Sequence, residues 1–272
     1  MTLFLRQVAE WLNYTQELLI LALILARTMP MVIQTPFLGG KLAPTEVKMG
    51  LGIVFTLVLW PIAKGALHGP IPDTPIPFLL LMAKEVFVGL VIGFVNSLVF
   101  TMMEMAGRLI DTSRGSSMAE VLDPHTGQRD TPFGDLYYQL FLVVFMGLGA
   151  HSVFFDAFFL SFSTIPLNVG LPPVEQMSGV ADLTMRLTAD ILSASVLLSA
   201  PILAAVLVTD VVFGILNRVA PQLNAYFMAM PVKSVAAVIL VIAVMDAFAQ
   251  KLGDWATWSL RAAERSIEVF AR

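Results

Sequence analysis

With 272 residues of which 57% are hydrophobic and only 13% charged, the chain lacks the polar surface of a water-soluble domain, which usually carries about 25% charged residues. A formal net charge of −4 argues against nucleic acid as a partner. The absence of cysteine excludes disulfides, zinc–thiolate sites and thiol nucleophiles. The expectation is an all-α integral membrane protein, or a buried subunit of a membrane assembly. The N-terminus lacks the pattern of a cleaved secretory signal, so insertion is expected to rely on internal apolar segments.

Residues 1–17 read as an amphipathic lead-in, with Trp11 and Tyr14 suited to a membrane–water boundary. The apolar run 18–26 is interrupted by Arg27 and Pro30 and falls well short of the roughly 20 residues that cross a hydrocarbon core. Residues 34–48 form a turn-rich connection, and 50–63 a second short apolar stretch. The segment 69–77 contains Pro70, Pro72, Pro75 and Pro77 and is expected to be extended. Residues 78–103 are long enough to span, carry Lys84 and Glu85, and include Gly89 and Gly93 at the GxxxG spacing that lets helices approach closely.

A polar island, 107–134, separates this segment from the next apolar one, 136–162. Its surroundings alternate in charge through Glu104, Arg108, Asp111, Arg114, Glu120, Asp123, Arg129, Asp130 and Asp135, which excludes a basic arm for phosphate. The centre, 114–119, is small and rich in Gly and Ser, which tolerate irregular backbone. Asp123-Pro124 favours a turn, and Thr131 before Pro132 reads as a helix N-cap with proline at the first helical position. Two readings stay open on these residues: a solvated loop, or a loop held inside a protein-lined pore with Met118 as part of a compliant seal.

Beyond the island, 136–162 carries His151 and Asp156, and 185–215 carries Asp190, Pro201 and Asp210. Residues 217–224 form a polar turn. A last apolar helix, 225–249, contains Pro231, Lys233 and Asp246, and 253–272 reads as an amphipathic helix. The total is about six apolar helices, several short or broken, ending in a helical hairpin. Each charge facing lipid at mid-bilayer would cost about 3 kcal/mol or more. Lys84, Glu85, Asp156, Asp190, Asp210, Lys233 and Asp246 are therefore expected to meet protein, water or one another.

No phosphate-binding P-loop, HExxH zinc helix or GxSxG nucleophile turn is present. His68, His125 and His151 lie in three different segments, and His151 reads as a satisfied buried side chain. The expectation is neither an enzyme nor a metal or cofactor protein. The acids in apolar helices leave a proton-coupled small-solute transporter as the alternative.

Two stretches carry a resemblance. Asp111, Arg114 and Gly115, followed by Asp123, Pro124, Thr126 and Gly127, resemble the signature of the T subunit of the type III secretion export apparatus. Asn217-Arg-Val-Ala-Pro-Gln-Leu-Asn224, with Pro231 and Lys233 after it, is similar to that family's second motif. The homologous flagellar R subunit shares the second motif and usually lacks the first, so the injectisome branch is expected over the flagellar one. The resemblance implies a structural and gating subunit of an export gate in the bacterial inner membrane, through which unfolded proteins pass. It implies partners of the R and S type, further U- and V-type subunits, and membrane lipid. It divides the chain into an R-like part (1–180), an S-like hairpin (181–250) and a C-terminal amphipathic helix (251–272). Asp111, Arg114, Gly115, Ser116, Ser117, Met118, Glu120, Asp123 and Pro124 would belong to the plug of the closed channel. Asn217, Arg218, Pro221, Gln222, Asn224, Pro231 and Lys233 would serve assembly.

Overall fold

The computed structural model describes residues 2–38, 40, 43–67, 69–72, 74–115, 131–170, 174–223 and 225–271. Its helices are α1 (Thr2–Gln34), α2 (Thr45–Gly65), α3 (Pro75–Ser113), α4 (Pro132–Gly147), α5 (Ala150–Thr164), α6 (Val174–Val219) and α7 (Ala225–Ala271), with 3₁₀ turns at Pro36–Leu38 and Pro221–Leu223. No strand occurs among the described residues. The expected all-helical, membrane-compatible class is what the chain adopts.

Several helices are longer than the hydropathy pattern suggests. α1 runs through Arg27 and Pro30, giving an apolar stretch Thr15–Gln34 of 20 residues where a short run was expected. α2, with 21 residues, is likewise long enough to cross a membrane. α3 starts at Pro75, so Pro75 and Pro77 are helical and, of the proline-rich segment, the described residues 69–72 lie outside a helix. Pro75 and Pro77 sit in the first turn, where the missing N–H leaves no intrahelical bond unmade. The expected span at 136–162 is a bent pair, α4 and α5, broken at Leu148 and Gly149, the latter at φ 71°. The amphipathic tail is no separate helix, because α7 continues without a break from Ala225 to Ala271. Among the described residues four helices are long and apolar enough to span, or five if the bent pair counts as one span. The expected six overcounts because the apolar part of α7, Phe227–Ala243, is shorter than a span.

At 1.5 Å per residue, α3, α6 and α7 reach about 58, 69 and 70 Å, roughly twice a hydrocarbon thickness of about 30 Å. Such helices extend well beyond a bilayer core.

The chain forms two compact units. The first comprises Met1–Ser97, Gly149–Leu187 and Trp258–Arg272; the second comprises Leu98–Leu148 and Thr188–Thr257. In the first unit, Gly89 and Gly93 of α3 meet the backbone of α1. A β-carbon on Gly89 would overlap the Arg27 carbonyl, and one on Gly93 would lie 3.1 Å from the Met31 Cα. The GxxxG pattern is thus a real helix contact. Phe37 meets Phe154 and Phe155 at ring separations of 5.4 and 5.8 Å, and Phe55 meets Phe155 at 5.2 Å, which ties α5 to α2 and the turn after α1. Gly89→Ala forces apart two backbones that cannot repack, an overpacking cost of about 1–3 kcal/mol. The thermal midpoint of the detergent-solubilised chain should fall by several degrees, whereas Gly50→Ala, with open space around it, should leave it unchanged.

The second unit packs the end of α3 on α4. Phe100 meets Phe141 at 4.8 Å and Phe145 at 5.2 Å, and Gly107 touches the Phe133 backbone so closely that no β-carbon fits. Ile191, Ala194, Ile202 and Val206 form the buried stripe of α6 there, and Lys233 of α7 pairs with Asp210 of α6.

Candidate functional site

Three groups of polar side chains stand out in these apolar helices. The first lies where α3 ends. Asp111, 1% exposed, sits in the last turns of α3, so the helix takes in the first residues of the expected island. Its Oδ2 accepts hydrogen bonds from the backbone N–H groups of Phe133 (3.0 Å) and Gly134 (3.1 Å). These are among the amides that the first turn of α4 cannot satisfy internally, and a carboxylate there also complements the helix dipole. Thr131 occupies the N-cap position and Pro132 the first helical position as expected, but the Thr131 side chain makes no capping bond. Asp111, 22 residues earlier in the chain, does this work instead.

The other carboxylate oxygen, Oδ1, faces Arg114, with Nε at 3.0 Å and Nη2 at 2.8 Å. The guanidinium lies over the Phe133 ring, 4.9 Å from its centroid. Gly115 follows at φ 91°, a conformation that costs a side-chain-bearing residue dearly, and Met230 of α7 packs beside it. One carboxylate therefore joins the residues that enter and leave the island. Glu104 and Arg108 pair one turn earlier on α3. Of the plug residues expected from sequence, Asp111, Arg114 and Gly115 come together. Ser116, Ser117, Met118, Glu120, Asp123 and Pro124 lie outside the described residues.

The second group is the turn between α6 and α7. Asn217 and Arg218 are exposed in the last turn of α6, Pro221 and Gln222 are exposed in the 3₁₀ turn, and Pro231 is exposed on α7. Arg218 forms no ion pair with a described residue. Lys233 stands apart from them, half-buried and engaged with Asp210 within the hairpin. Asn224 lies outside the described residues.

The third group was not anticipated as a unit. Arg27, Lys84 and Glu85 are fully buried in the first unit. Arg27 Nε binds Glu85 Oε2, and Lys84 Nζ lies 2.7 Å from Glu85 Oε1, a charge contact whose angle makes it no hydrogen bond. Arg27 also donates to the carbonyls of Ser161 (2.8 Å) and Ile165 (2.7 Å), and Lys84 to those of Pro166 and Val169 (both 2.8 Å). Arg27 stacks on Phe162 at 4.3 Å. Two cations and one anion thus satisfy the carbonyl end of α5 and the segment after it.

Of the remaining acids, Asp210 meets Lys233 as expected of a charge in an apolar helix, while Asp156 and Asp190 are exposed on their helices. The side chains of Trp11, Tyr14 and Asp246 fall outside those described, as do His68 and His125. His151 Nδ1 is buried without a partner among the described residues, so the satisfied histidine expected there is not observed.

Long apolar helices of membrane-spanning length, with a carboxylate of α3 capping α4, have the make-up of a multi-pass membrane protein. The chain belongs to the bacterial export proteins, family 1, which match residues 18–257. It is 32% identical to the Yop proteins translocation protein T of Yersinia pestis, over 85% of this chain and 88% of that one. It is 27% identical to the flagellar biosynthetic protein FliR of Bacillus subtilis, over 82% and 85% of the two chains. With the secretion system apparatus protein SsaT of Salmonella typhimurium it shares 27% identity, over 87% and 88%.

Proposed function

We propose that this chain is the T-type subunit of a type III secretion export gate in the bacterial inner membrane, and that its 107–134 region seals the channel at rest. The observation that carries the sealing role is the Asp111 carboxylate, which holds Arg114 on one side of the island and the first amides of α4 on the other. A loop with both ends fastened to buried structure can block a pore, whereas a solvated connection gains nothing from such an anchor. The injectisome reading is favoured over the flagellar one by the Asp111-x-x-Arg114-Gly115 form of the first motif and by the higher identity to the Yersinia protein.

Enclosure by other subunits is supported by the exposed acids. Asp156 lies between exposed Val153 and Leu160, and Asp190 beside exposed Leu192. Bare carboxylates on those faces are too costly for lipid and fit R- and S-type neighbours, or a water-filled channel that passes unfolded polypeptide. Lipid suits α2, whose outer side presents Ile53, Val54, Leu57, Val58 and Ile62, its charges Glu46, Lys48 and Lys64 standing in the turns at either end. The R-like part (1–180), the S-like hairpin (181–250) and the helical end (251–272) are the functional divisions of this reading, with U- and V-type subunits as further neighbours. Deleting residues 114–119 from the assembled gate should raise its resting ion conductance. Conductance equal to that of the parent complex would remove the sealing role.

A further inference from the structure

We propose that Asp111 is a positioning residue with two separable tasks: a permanent cap on α4 and an exchangeable tether on Arg114, so that the backbone yields first at Arg114–Gly115. The consequence for the gate rests on the sealing role above; the asymmetry itself rests on geometry. On the α4 side the carboxylate oxygen accepts from two buried backbone amides. The same turn is wedged by the contact of Gly107 with the Phe133 backbone, and Gly134 lies 3.1 Å from the Arg108 Cγ, both measured to the β-carbon position. Nothing there can swing away without separating α3 from α4.

The α3 side is built differently. Arg114 is 16% exposed and its link to Asp111 is a local i,i+3 pair. The last backbone bonds of α3 are Arg114 N–H to the Ile110 carbonyl at 3.1 Å and Gly115 N–H to the Thr112 carbonyl at 3.2 Å. They stand at a helix end, where fraying costs least, and the next residue is a glycine at positive φ. Once the guanidinium leaves Asp111, its stacking on Phe133 is what still holds it among the described residues.

Asparagine separates the two tasks. Its amide oxygen caps a helix about as well as aspartate does, but it carries no charge for Arg114. Amide hydrogen exchange on the full-length chain in detergent reads both ends at once. In Asp111→Asn, Arg114 and Gly115 should exchange about tenfold or more faster than in the parent, with Phe133 and Gly134 within about twofold of it. Asp111→Ala should accelerate both ends, and Arg114→Gln should reproduce the asparagine pattern with the cap residue intact. Equal acceleration at both ends in Asp111→Asn, or unchanged exchange at Gly115 in Arg114→Gln, would overturn the proposal. The exchange pattern does not depend on conductance. A split pattern alongside an unchanged conductance of the 114–119 deletion would sink the seal and leave the two-task cap standing.

Discussion

Replacing Glu85 by Gln should leave the chain unable to accumulate as a folded species in detergent. Glu85 is the sole carboxylate in contact with two fully buried cations among the described residues. Gln is close in shape, so no cavity forms; what disappears is the charge that makes Arg27 and Lys84 tolerable. Removing one partner of a buried pair typically costs about 3–5 kcal/mol, because the other charge remains without compensation. Here two remain, against a total folding stability of the order of 5–15 kcal/mol. Lys84→Met provides the contrast. It removes one of the two cations and keeps the Arg27–Glu85 pair, at the expense of the Lys84 bond to the Val169 carbonyl, worth about 1–3 kcal/mol, while the Pro166 carbonyl keeps the Val169 N–H at 3.3 Å. The expected order of monodisperse yield is parent, then Lys84→Met with a lowered thermal midpoint, then Glu85→Gln with no folded fraction to melt. A Glu85→Gln chain as stable as the parent would mean that water or a counter-ion reaches this cluster, contrary to its burial.

The same cluster explains what could and could not be read from the chain itself. Gly89 and Gly93 were legible because GxxxG is a local pattern, and they do meet a helix. The turn at Pro221 was legible because proline and polar side chains punctuate the chain at that point. Arg27 misled for a physical reason. A hydropathy reading treats a charge inside an apolar run as facing lipid and ends the helix there, whereas its partner is 58 residues away. With Glu85 in place the charge is compensated, and α1 continues to Gln34. Asp111 followed the same logic. As a motif residue it was visible, but its task as the cap of a helix beginning 21 residues later depends on α3 and α4 lying side by side, which no spacing within the island encodes. Local signals were therefore reliable for turns and close contacts, and unreliable wherever a buried charge borrows its partner from a distant helix.

Reversing the charge at Arg218 should separate folding from assembly more cleanly than any other change. Arg218 is exposed in the last turn of α6 and pairs with no described carboxylate. The folded chain asks little of it beyond a favourable helix-dipole term of about 0.3–1 kcal/mol. Around it the hairpin end is apolar and uncovered: Val212, Ile215 and Val219 are exposed, the last by 77%, and Phe227 and Met228 continue the surface across the turn. A cation set in such a surface is a strong candidate anchor for a partner, since truncation or reversal of a charge that becomes buried on binding costs about 2–5 kcal/mol or more. Arg218→Glu should thus leave the thermal midpoint of the isolated chain within a few degrees of the parent. Co-expressed with R- and S-type subunits, it should lower recovery of the complex by about thirtyfold or more. Lys233→Met should show the opposite balance, because Lys233 braces α7 to Asp210 within the hairpin: its first effect falls on the isolated chain, and assembly suffers only as folding does. If Arg218→Glu recovered the complex at parental yield, the hairpin turn would have no place in the interface, and the partner-facing surface would have to be sought around Asp156 and Asp190.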